Sequence, residues 1–144
     1  MSHETFLNEY ERALGTHLWD AIAPLIEDDA CFVFSDGTYF GIAEIERAIR
    51  RTFENIQDET YAISNVRWQY VRGDAALCVY TFNWAGFIDG KASAGSGRGT
   101  TFLTRQSGTW KIKHEHLGPS AQAAIQRASH PARSGLADLP RLPR

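Results

Sequence analysis

The sequence predicts an α+β domain in which helices pack on one face of a curved, consecutive antiparallel sheet. Three observations predict it. Apolar residues recur at helical spacing through residues 6–26 and again from Ile42 to Ile56. After Thr60 the texture changes to long strand-like runs separated by short turns rich in Gly, Asp and Ser. The order is helices, a strand, a helix and then four strands, which segregates the two kinds of structure instead of alternating them as βαβ units do.

The elements follow in chain order. Phe6, Leu7, Tyr10, Leu14, Leu18, Ile22 and Leu25 form one apolar stripe, which Gly15-Thr16 divides into two helices. Thr16 is suited to accept a backbone hydrogen bond at the start of the second, and Pro24 should kink or shorten it. Asp28 and Asp29 read as turn formers ahead of a strand over 30–34 that Ser35-Asp36-Gly37 ends. Gly41 precedes a third helix, with Ile42, Ile45, Ile49, Phe53 and Ile56 inward and Glu44, Glu46, Arg47, Arg50 and Arg51 on a solvated face. Strands are expected over 61–71, 75–88, 97–104 and 110–117, joined by Arg72-Gly73-Asp74, a longer loop over 89–96, and Gln106-Ser107-Gly108. Residues 1–120 then form the domain. Residues 121–144 are rich in Ala, Ser, Pro and Arg, and read as a flexible tail in which 121–128 have the makings of a short helix.

Composition narrows the function classes. The 144 residues are 43% apolar, enough for one core without disulfide staples. A net charge of −2 with interspersed signs lacks the positive field that a phosphate backbone requires, so nucleic acid is not expected as a partner. Cys31 and Cys78 sit in apolar runs and read as small buried hydrophobes. No apolar stretch nears the roughly 20 residues of a membrane span, and the charged N-terminus is not followed by an apolar run. The expectation is a soluble, cytoplasmic protein with no membrane partner.

The last strand is the most informative. Alternation places Trp110, Ile112, His114 and His116 on one face, and Lys111, Lys113, Glu115 and Leu117 on the other. His114 and His116 project to one side and have the spacing to ligate a metal, but no third ligand is apparent, so no metal is expected. Histidines hydrogen-bonded at an interface are the plainer reading. No nucleophile elbow, phosphate loop or dinucleotide fingerprint is present, and Gly95-Ser-Gly-Arg-Gly99 enters a strand instead of a helix.

Several stretches together carry a resemblance: 26–37 (Ile-Glu-Asp-Asp-Ala-Cys-Phe-Val-Phe-Ser-Asp-Gly), Gly41-Ile-Ala-Glu-Ile45, Gly73-Asp-Ala-Ala76, Gly97-Arg-Gly-Thr100 and 108–116 (Gly-Thr-Trp-Lys-Ile-Lys-His-Glu-His). In this order the chain resembles the nuclear-transport-factor-2-like superfamily, particularly its SnoaL-like, polyketide-cyclase-like group. The resemblance implies a cone-shaped α+β barrel, with three N-terminal helices on a strongly curved, mixed but mostly antiparallel sheet. It also implies a pocket in the cone and a homodimer formed through the outer sheet face. Aligning Ser107-Gly108 with the ketosteroid isomerases puts Arg98, Thr100, Phe102, Lys113, Glu115 and Leu117 on the pocket side. Tyr80, Phe82, Trp84, Trp110, Ile112, His114 and His116 then fall on the outer, dimer-forming face. Plain burial of the bulkier side argues the reverse, and a single bulge would exchange the two. In that second register His114 and His116 enter the pocket, as histidines do in dehydratases of the superfamily.

Glu115 is the candidate base, and Arg98 a candidate clamp for a ligand carboxylate or carbonyl; alternatively the two pair across strands. Tyr10 matches the isomerase tyrosine that donates to the substrate oxyanion. Phe34 stands where the isomerases have the catalytic aspartate and Thr100 where they have a second acid, so steroid isomerisation is not implied. Trp19, Phe34, Tyr39, Phe40, Asn83 and Phe102 are candidate pocket lining, or ordinary core. Three functions are consistent with these readings. One is binding of a small, mostly apolar organic molecule. Another is a cofactor-free lyase, dehydratase or isomerase. The third is a noncatalytic association module.

Overall fold

The computed structural model describes residues 1–120. The expected tail, 121–144, and its short helix lie outside the described residues. Helix α1 (His3–Thr16) starts where Ser2 Oγ accepts the Thr5 N–H at 3.0 Å, and buries Phe6, Leu7, Tyr10, Ala13 and Leu14. It ends at His17, whose φ of 58° reverses the chain. Helix α2 (Trp19–Ile22) is one turn long, because Pro24 sits in the 3₁₀ turn Ala23–Leu25 that follows. Thr16 Oγ1 does accept the Leu18 N–H, but α2 itself has no side-chain cap. Helix α3 (Ile42–Asn55) buries Ile45, Ala48, Ile49 and Thr52. Its Glu44 reaches back to accept the Phe40 N–H at 2.9 Å.

The strands are β1 (Ile26–Phe34), β2 (Gly37–Phe40), β3 (Gln57–Arg72), β4 (Ala75–Ile88), β5 (Lys91–Gln106) and β6 (Thr109–Pro119). They form one sheet in the order β2-β1-β6-β5-β4-β3, with β1 and β6 parallel and every other pair antiparallel. The fold is thus α+β with helices on a mixed sheet, as expected, but the sheet does not close into a barrel. β2 and β3 are its two edges.

Three local expectations are corrected. Asp28 and Asp29 lie within β1, and Asp29 accepts from Lys113 Nζ at 2.6 Å, a pairing that holds its carboxyl below the usual range. The hairpin strand β2 was not expected. The loop over 89–96 is a tight turn at Asp89-Gly90, both at positive φ, and Lys91–Ser96 belongs to β5.

Composition hid that strand, and pairing explains it. Gly95, Gly97 and Gly99 stand opposite Trp84, Phe82 and Tyr80. A Cβ at Gly97 would lie 2.6 Å from the Phe82 ring, and one at Gly99 would lie 2.5 Å from Tyr80. Each aromatic ring of β4 therefore rests on bare β5 backbone, where any other residue would collide with it.

This packing settles the faces. Ala76, Cys78, Tyr80, Phe82 and Trp84 are buried beneath the helices, with Thr101, Leu103, Trp110 and Ile112 beside them. The face expected to form a dimer through Tyr80, Phe82, Trp84 and Trp110 is thus the inner one. A bulge in β6 then changes the alternation: Leu103 pairs with Ile112 but Phe102 pairs with His114, leaving Lys113 as the extra residue. Beyond it Glu115 and Leu117 turn inward and His114 and His116 outward, so each expected register holds for half of the strand.

Candidate functional site

The inner face of a sheet under three helices should be wholly apolar, and at its centre it is not. Glu115 is fully buried, flanked by Thr101 on β5 and Phe32 on β1. Tyr10 from α1 is also fully buried, and Tyr80 and Tyr61 nearly so. The Tyr80 hydroxyl and Thr101 Oγ1 share a hydrogen bond at 2.8 Å. Burial pushes the Tyr80 phenol well above its ordinary range, and the Glu115 charge, then Tyr61 and Tyr10, add to the shift. One carboxylate and two further phenols therefore lie within electrostatic reach of the Tyr80 hydroxyl in a low-dielectric interior. Such a group is costly to bury, and hydrogen bonds and charge coupling must offset that cost.

The helices and strands bring these groups together by simple means. The i, i+3 and i+4 spacing of Phe6, Tyr10, Ala13 and Leu14 sets the inward face of α1. Glu11 anchors that helix to β3 by accepting the Ile63 N–H at 2.6 Å. Tyr61 stacks on Phe82 with ring centroids 5.9 Å apart. Aromatic walls complete the surroundings, with Phe32 and Phe34 edge to face at 5.8 Å and Trp19 buried on α2.

Cys78 shares this interior. Burial, reinforced by the Glu115 charge, raises its thiol to about 12, despite a backbone hydrogen bond at Thr101 that acts the other way. At pH 8 only about one thiol in ten thousand would be ionised, so native Cys78 should resist thiol reagents. A disulfide-exchange titration should count the half-buried Cys31 in the folded protein and Cys78 only on unfolding. Prompt labelling of both would contradict the packing around Glu115.

The sequence-derived residues divide into two groups. Glu115, Tyr10, Trp19 and Phe34 come together inside. Arg98, Thr100, Phe102 and Asn83, expected on the pocket side, instead alternate with the inward Gly97, Gly99, Thr101, Leu103, Phe82 and Trp84, and so face outward. Arg98 therefore cannot pair with Glu115. His114 and His116 share that outer face, where burial and then the charge of His116 lower the proton affinity of His114. Tyr39 lies at the rim, half-buried against Phe34; its hydroxyl donates to Asp36 Oδ1 at 2.9 Å and accepts from Arg51 at 2.8 Å. Phe40 is exposed. Lys113 is spent on Asp29. Sequence reasoning missed Thr101 and Tyr80 beside Glu115, Tyr61 beside Tyr80, and Glu59, a second buried carboxylate. The glycines facing Tyr80 were the available signal for the β4 face. Among the described residues no group of His, Cys, Asp and Glu is arranged to hold a metal ion. No helix among them is long and apolar enough to cross a membrane.

A model of the SnoaL-like domain family matches residues 4–122. No curated protein matches the sequence significantly. Among solved structures, a nuclear transport factor 2 (NTF2-like) superfamily protein from Salmonella enterica serovar Typhimurium superposes with a TM-score of 0.74 at 16% identity, over 93% of this chain and 92% of that one. An uncharacterised protein with a cystatin-like fold from Caulobacter vibrioides gives 0.71 at 20% identity, over 88% and 93%. A hexachlorocyclohexane dehydrochlorinase (LinA) type 2 gives 0.72 at 15%, over 79% and 80%. At these identities the likeness is one of fold.

Proposed function

The chain belongs to the SnoaL-like domain family of the nuclear-transport-factor-2-like superfamily, and from that premise we propose that it takes a small, mostly apolar organic molecule into its cone and moves a proton on it. The observation that carries this reading is Glu115, fully buried and coupled to the buried Tyr80, which Tyr10 and Tyr61 also approach. A core needs no such group, and perturbed ionisable clusters in enclosed surroundings mark functional sites. Glu115 is the proton carrier. The tyrosine hydroxyls donate hydrogen bonds to an oxygen or other electronegative atom of the ligand, and Trp19, Phe32 and Phe34 hold its apolar body. The reaction class is a cofactor-free lyase, dehydratase or isomerase. A dehydrochlorinase of the same fold is in keeping with this reading without carrying it.

Native mass spectrometry of freshly purified protein, followed by denaturation of the same sample, tests the binding step. A stoichiometric organic molecule released on denaturation is the expected result, and it would identify the substrate class. Protein that carries none, and gains no thermal stability from a library of small aromatic and alicyclic compounds, would overturn the reading. The same spectrum reports the oligomeric state, for which we propose a homodimer; Tyr80, Phe82, Trp84 and Trp110, buried within one copy, are not available to form it.

A further inference from the structure

The outer face of the sheet holds a groove of about 600 Å³, lined chiefly by Arg67, Val79, Thr81, Arg98, Thr100 and His116. Register explains its make-up. Arg67 pairs with Val79, Val79 with Thr100, and Thr100 with His116, so one row of side chains crosses four strands. The next row is Thr81, Arg98 and Gly118, and the missing side chain at Gly118 leaves a hollow beside Arg98. No carboxylate lines the groove. Among the described residues the ion pairs of arginine use Arg12, Arg50, Arg51 and Arg105, and neither Arg67 nor Arg98. Two exposed guanidiniums thus share one concavity with an imidazole and hydroxyls, over a floor that includes Val79 and Pro119. Guanidinium forks match planar oxyanions, and the apolar floor favours an anion that carries a hydrocarbon body.

We propose that this groove is a second binding site, for a small organic carboxylate clamped by Arg67 and Arg98, with His116 and Thr100 as further hydrogen-bonding partners and Val79 and Pro119 against its apolar part. The sheet itself separates this site from Glu115, so the two stand or fall independently. The test is amide NMR of the full chain titrated with sodium benzoate, sodium phosphate and sodium chloride at matched ionic strength. Benzoate should give saturable shifts at the amides of Arg67, Val79, Arg98, Thr100 and His116. Arg98→Gln and Arg67→Gln, both at exposed positions, should each weaken it by roughly tenfold or more, the scale of one lost charge-assisted hydrogen bond. Glu115→Gln should leave the titration unchanged. Benzoate shifts no different from those of chloride, or undiminished in both arginine variants, would overturn the site. Phosphate saturating more tightly than benzoate would overturn its assignment to an organic carboxylate.

Discussion

Gly97→Ala is expected to destabilise the protein by about 3 kcal/mol or more, at the upper end of what overpacking costs, or to prevent folding altogether. The added Cβ would lie 2.0 Å from the Gly118 carbonyl oxygen and 2.6 Å from the Phe82 ring. The ring has somewhere to go; the carbonyl belongs to β6, and moving it means parting the central strands. Gly99→Ala meets only side chains, Tyr80 at 2.5 Å and Leu117 at 2.6 Å, and should cost less. Gly15→Ala meets nothing within 4 Å near the end of α1 and should stabilise by about 0.5–1 kcal/mol, the usual gain from replacing a helical glycine. Thermal melts of the three variants give the ranking. A Gly97→Ala protein melting within a few degrees of the parent would refute the ring-on-backbone packing.

Glu115→Gln should abolish most turnover, by roughly 10²–10⁴-fold, the range that positioned acid–base groups contribute, while leaving the fold and ligand affinity nearly intact. The carboxamide keeps the shape of the carboxylate and cannot exchange the proton. Tyr80→Phe separates chemistry from packing: it removes the hydroxyl that bonds Thr101 and lies near the carboxylate, and should lower kcat more than it raises KM. Single-turnover rates on the molecule released in the native mass spectrum provide the assay. Undiminished turnover in Glu115→Gln would remove the carboxylate from the chemistry and leave binding alone.

Much of the fold was legible because periodicity and turn chemistry agree. The stripe from Ile42 to Ile56 became α3, and Ser107-Gly108, at positive φ, became the β5–β6 turn. What misled was composition where pairing decides. Lys91–Ser96 looks like a loop until the rings of β4 are laid over its glycines. The faces of β6 were half legible, because alternation is strict only between bulges and no residue type announces that Lys113 is the extra one. Tyr10 and Glu115 were found as a pair, although their companions Tyr61 and Tyr80 were not. The first lay in a strand with no clear alternation and the second on a face assigned to the outside.

The two edges of the sheet bear on how copies of this chain meet. β2 offers only four residues for strand addition. β3 is long, but its pairing slips at three places, it holds Asp58 and Asn65 at positive φ, and it carries Arg67 and Arg72. Short, bulged and charged edges are poor templates for a further strand. Growth of an open-ended aggregate by edge-to-edge pairing is therefore disfavoured at both ends of the sheet.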